Sequence, residues 1–268
     1  MDAKFPILEF IKQSFVQTFS FGKGLLVTLA AIIAIAVAII VVFLLLGVAL
    51  AGTGGGATGA MIFGGLVSVV IALYGMGWIF NYWARVGADG RENLFPDGFG
   101  ATLTPALATG LKLLFIGILV CLVAIVVIMI TGILGIGVTF DQLPRLGTMD
   151  SLEVVQAMGF AYLIVFGVSC AVYSVFSSNL TKTALGREDE EIGEPHVLEF
   201  ALVLFFIYAA CYVPLMIVQA VAPKMVGVLL EYVVGIFLLA LIPVAHGLRY
   251  DWQRQVYAAR QSQEPMGE

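Results

Sequence analysis

Charge is what this chain lacks. Only 12% of its residues are Asp, Glu, Lys or Arg, where a soluble domain carries about a quarter. Between Lys23 and Arg85 there is no Asp, Glu, Lys, Arg or His at all. With 61% hydrophobic residues and a mean hydropathy of +1.04, the chain has far more apolar surface than a soluble core can use. Histidine and cysteine are sparse too. His196 and His246 are the only two histidines, too few for a histidine-rich metal site. Cys121, Cys170 and Cys211 fall singly in three apolar stretches, where they suit small apolar fillers better than a disulfide or a thiolate cluster. No Gly-x-Ser-x-Gly, no His-Glu-x-x-His and no pair of intramembrane acids occurs. These absences argue against an enzyme and against any metal or cofactor, and no nucleic-acid partner is expected. The net charge of −5 says little about partners, because the acids lie mainly in the same loops as the bases.

What is present is long apolar runs. The two between Lys23 and Arg85 are split only by Gly52-Thr53-Gly54-Gly55-Gly56-Ala57-Thr58-Gly59. Each exceeds the roughly 20 residues needed to cross a hydrocarbon core of about 30 Å, so the pair reads as a membrane hairpin. The glycine-rich segment reads as its turn, since no Gly-Lys-Ser/Thr follows to make a phosphate cradle. Further runs bring the expectation to an all-α integral membrane protein with six spans, near 24–50, 58–83, 111–136, 154–180, 198–221 and 226–248. The expected organisation is an amphipathic helix over 1–23, a six-helix membrane domain over 24–249 and a tail over 250–268. Within the first segment Leu8, Ile11, Phe15 and Phe19 share one face, which suits an interfacial anchor on the cytoplasmic leaflet.

Eleven of the thirteen Lys and Arg fall in the N-terminal arm, the loops after spans two and four, and the tail. Only Arg145 and Lys224 lie opposite. Basic loops stay cytoplasmic during insertion, which puts both termini in the cytoplasm. Ala49-Leu50-Ala51 resembles a signal cleavage site, but the 27-residue apolar run before it is too long for a signal core, so the first span reads as an uncleaved anchor.

Three helix-ending tails look alike: Gly90-Arg91-Glu92, Gly186-Arg187-Glu188 and Ala259-Arg260-Gln261, followed by Pro96, Pro195 and Pro265. They suggest three tandem hairpins whose Arg91, Arg187 and Arg260 meet lipid phosphates. Ala30, Ala34 and Ala38 recur every four residues and predict close helix contact, within the chain or between copies.

The first candidate site is Glu231, an acid inside the sixth span, where a charge is costly unless it faces water or a partner. Lys224 lies seven residues earlier, Gln219 across the turn, and Pro214 in the fifth span frees the carbonyl of Ala210. A kinked span beside an acid can form an ion or proton site. An acid two turns from the surface can equally snorkel or pair with Lys224. The acidic run from Glu188 to Glu194 reads as a solvated loop.

The layout resembles that of six-span bacterial inner-membrane proteins, and this likeness implies that location. The expected function is a non-catalytic accessory or scaffold component, embedded in the lipid bilayer and packing with other membrane proteins or with copies of itself. The alternative is a transporter or channel for a small solute or ion, built on the span five and six hairpin.

Overall fold

A computed structural model of the chain describes residues 4–51, 57–92, 94, 102–138, 143–146 and 149–262. All regular structure among them is helical: α1 (Ile7–Phe19), α2 (Gly22–Ala51), α3 (Ala57–Asp89), α4 (Leu103–Ile133), α5 (Leu143–Leu146), α6 (Ser151–Met158), α7 (Phe160–Phe176), α8 (Leu180–Leu185), α9 (Val197–Val221) and α10 (Lys224–Gln261). Five helices are long and apolar enough to cross a membrane, or six if α6 and α7 are one broken span. This is the architecture of a multi-pass membrane protein. In lipid no water can satisfy a backbone N–H or C=O, and the long helices meet that demand internally.

The fourth expected span differs from a plain helix. Asp150 and Glu153 cap α6 reciprocally: the Glu153 N–H donates to Asp150 Oδ1 (2.9 Å) and the Asp150 N–H donates to Glu153 Oε2 (3.0 Å). The chain then turns by 109° at Gly159, whose φ of +54° is open to glycine and strained for most other residues. The sixth span also runs further than expected, because α10 continues without a break as far as Gln261. The glycine turn over 52–56, Pro96 and Pro265 lie outside the described residues.

Successive long helices touch, α2 with α3, α4 with α7 and α9 with α10, yet the most extensive packing is between α10 and α3. The chain closes a ring of α3, α4, α7, α9 and α10, with α2 outside it against α3 and α1 laid over α9 and α10. Glycine makes the α3–α10 contact possible. A Cβ on Gly247 would stand 2.1 Å from the Ala84 carbonyl oxygen, and one on Gly87 would stand 2.3 Å from that of Val244. Backbone therefore lies on backbone there. Gly77 and Gly110 do the same between α3 and α4.

Polar clamps reinforce these crossings. The buried Trp83 indole N–H donates to Thr28 Oγ1 (2.7 Å), tying α3 to α2. Buried Asn81, in the amide orientation that satisfies its neighbours, donates to the Gly77 carbonyl and to Thr109 Oγ1 and accepts from the Ala106 N–H. That N–H belongs to the first turn of α4, so Asn81 ties α3 to the start of that helix.

In α1 the buried row is Phe10, Ser14 and Thr18, whereas Leu8 and Phe19 of the expected apolar face are exposed. The small Ser14 hydroxyl folds back onto the Phe10 carbonyl (2.7 Å), so this face can lie close against its neighbours. Phe5 and Phe10 anchor it edge-on to Trp252.

Candidate functional site

At the end of the bundle away from the termini, Glu231 is half-buried and accepts a hydrogen bond from Gln219 Nε2 (3.4 Å). Gln219 reaches it by lying over Gly227, one turn before Glu231, where a Cβ would meet the Gln219 side chain. Lys224 turns to the acids of α6, forming ion pairs with Glu153 (3.2 Å) and Asp150 (4.0 Å). It thus ties the start of α10 to the capping box of the broken span. Pro214 lies inside α9, but its ring is exposed. Of the four residues expected together, the structure joins Glu231 with Gln219, sends Lys224 to α6 and turns Pro214 outward.

The three expected lipid-phosphate arginines are placed at the other end. Gly90 and Gly186 both adopt positive φ, +76° and +67°, as helix-ending glycines do. After Gly186, the Arg187 N–H closes back on the Lys182 carbonyl (2.9 Å), which aims Arg187 at the other tail. Its guanidinium grips Asp89 through both oxygens (2.9 and 3.1 Å), and Asp89 is only 9% exposed. Burial acts to lower the Arg187 pKa, but the hydrogen bond and charge of Asp89 outweigh it and the net shift is upward. Arg91 donates to the Gln17 carbonyl (3.4 Å) and to Ser20 Oγ, and its guanidinium lies over the Phe21 ring, fixing the corner between α1 and α2. Arg260 sits exposed in the last turn of α10.

The acidic loop is not merely solvated. Tyr250 and Tyr257 donate to Glu190 and Glu191, and Gln253 donates to the carbonyls of Gly193 (3.4 Å) and Glu194 (2.6 Å). On its far side Glu188 accepts from Thr183 (2.8 Å) and faces Lys112, and these two hold its carboxyl below the ordinary range.

Sequence reasoning missed the most unusual group. Arg249 is 2% exposed, and none of its three guanidinium nitrogens has a hydrogen-bond partner among the described residues. Phe200 covers its face at 4.4 Å. His246, 1% exposed, sits one turn earlier among Phe80, Tyr173 and Phe200, its Nε2 likewise without a partner. A buried cation left unpaired costs several kcal/mol, more than the about 2 kcal/mol of a desolvated cation–π contact. The signal was present: His246, Arg249 and Gln253 recur at i, i+3 and i+7, a polar row on one face of a helix. Counting Arg249 among the basic residues of the tail hid it. Among the described residues no group of three or more His, Cys, Asp and Glu is placed to hold a metal ion.

Comparison of the chain with family models, with curated proteins and with solved structures gives no match.

Proposed function

We propose that this chain is a non-catalytic, multi-pass component of a bacterial inner membrane, with both termini cytoplasmic, that packs against other membrane proteins or copies of itself. The observation that carries this reading is the open side of α2. Ala30 and Ala34 are exposed, and with Ala38 they line a groove of about 460 Å³ whose opposite wall includes Ile71, Tyr74, Gly75 and Trp78. Small residues on an open apolar groove allow another helix to approach closely.

The test is a photoactivatable crosslinker at Ala34 in native membranes, with Ala34→Phe as the companion variant. A discrete protein adduct, lost from the complex when Phe fills the groove, supports the reading. Adducts to lipid alone, with an unchanged set of co-purifying proteins in the Phe variant, would sink it. Because Ala34 faces the groove and not the chain's own core, the Phe variant should keep its stability within about 0.5 kcal/mol.

A second reading, transport of a small solute or ion, draws on the break between α6 and α7. Broken spans are how many transporters build sites, and Lys224, Glu153 and Asp150 gather at the start of α6, two turns before the break. Solute-dependent flux in liposomes containing only this chain would favour it over the scaffold.

A further inference from the structure

His246, Arg249 and Gln253 share one face of α10, and each is at most 2% exposed. Gln253 is already satisfied by the Gly193 and Glu194 carbonyls. Among the described residues Arg249 and His246 Nε2 have no partner, and neither has the buried Ser177 hydroxyl on the turn between α7 and α8. That turn leads to Thr181, whose hydroxyl reaches the His246 carbonyl (3.4 Å), so it faces the same stretch of α10. Phe200 occupies the flat face of the guanidinium and leaves its edge, where the N–H donors lie. Parallel N–H pairs on that edge match two oxygens of an oxyanion, whereas a halide engages a single fork. Depth points the same way. The 25 helical steps from Lys224 to Arg249 span about 38 Å, more than the hydrocarbon thickness of about 30 Å. With Lys224 at one surface, Arg249 reaches the level of the opposite phosphates.

We propose that Arg249, with His246 and Ser177, binds one phosphate-class oxyanion inside the bundle, supplied by a lipid headgroup or by free phosphate. Arg249 grips two oxygens, the Ser177 hydroxyl donates to a third, and His246 Nε2 donates to or accepts from a monoprotonated phosphate. The site is independent of the scaffold reading, since nothing in it involves α2.

The experiment uses the full chain purified in detergent. Thermal unfolding is followed as sodium phosphate replaces sodium gluconate at constant ionic strength, and again after reconstitution into phosphatidylcholine vesicles with or without phosphatidic acid. Phosphorus carried through purification is assayed separately as inorganic phosphate and as extracted lipid. A saturable rise in Tm of about 5 °C or more is expected from one of the two sources. About one phosphorus per chain from that same source should accompany it. Arg249→Met should remove the rise while Arg249→Lys keeps part of it. If Arg249→Met does not fold, the wild-type titration and phosphorus assay decide alone. Equal Tm in phosphate and gluconate, with no effect of phosphatidic acid and no stoichiometric phosphorus, overturns the proposal. So does an equal effect of chloride, which would assign a halide.

Discussion

The two ends of α3 live in different surroundings. Towards the termini, Ile79, Phe80, Tyr82, Trp83 and Val86 are all buried; towards the other end Met61, Ile62, Phe63 and Leu66 of the same helix are each more than 60% exposed. The division holds for α10, where Leu241, Val244 and Ala245 are buried but Met225, Leu229 and Tyr232 are exposed. The residue types are alike, so hydrophobicity does not explain the difference. In lipid, apolar side chains gain little by leaving a solvent as apolar as themselves. Packing concentrates where small residues let backbones touch and where polar groups need partners, and in this chain both conditions are met at the terminal end.

Glycine substitutions test that comparison most severely. Gly247→Ala and Gly87→Ala each place a Cβ within 2.3 Å of a carbonyl oxygen on the facing helix, and backbone cannot swing aside as a side chain can. A loss of about 1–3 kcal/mol is expected for each, seen as a lower Tm in detergent. Gly47 and Gly65, helical residues with open space where a Cβ would stand, should gain up to about 1 kcal/mol on the same change, because Ala restricts the unfolded chain. If all four variants melted together, backbone contact would not be what holds the terminal end.

Ion pairing gives the next largest effect. Asp89→Asn removes the charge that Arg187 grips in a bidentate, mostly buried pair joining the ends of α3 and α8. The expected loss is about 1–2 kcal/mol, between that of an exposed pair and that of a fully buried one. A double-mutant cycle with Arg187→Met isolates the coupling; a value near zero would show that the two tails are held by their glycine turns and not by charge.

Much of this was legible in the sequence, and what was not failed for physical reasons. Charge-free runs predicted the long helices because a lipid-exposed helix and its hydropathy are the same fact. The break at Gly159 escaped because the run around it is apolar throughout, and a glycine's sign of φ is not written in composition. Similar Gly-Arg tails correctly marked helix ends at Gly90 and Gly186, but which partner each Arg meets depends on tertiary placement. The Ala30 and Ala34 stripe led to an expectation of close helix contact, but both residues are exposed within the chain, and a stripe alone does not name what lies against it. Lys224 was expected near Glu231, while α6, invisible as a separate element, brings it Glu153 and Asp150. Arg249 was hidden for the opposite reason. A cation just past an apolar run reads as a membrane-edge anchor, and only the fold reveals that α7, α9 and α10 have closed around it.

The smallest effect belongs to Glu231, and it sharpens the comparison by asking what a polar group is worth at the open end. Glu231 is half-buried there, with Gln219 Nε2 donating to it at 3.4 Å, a long contact. Glu231→Gln keeps the shape of the side chain and an oxygen that still accepts from Gln219. The expected change in stability is therefore under about 0.5 kcal/mol, as for a substitution away from packed features. Thermal unfolding checks the number, and liposome flux checks its meaning. A drop of about 2 kcal/mol or more would place Glu231 among the groups whose partners hold the fold, and the open end would then be less open than its exposure suggests. Unchanged stability joined to loss of a measured flux would instead make Glu231 the charge to which a transported ion is coupled, and would turn the broken span and its neighbours from scaffold into pathway.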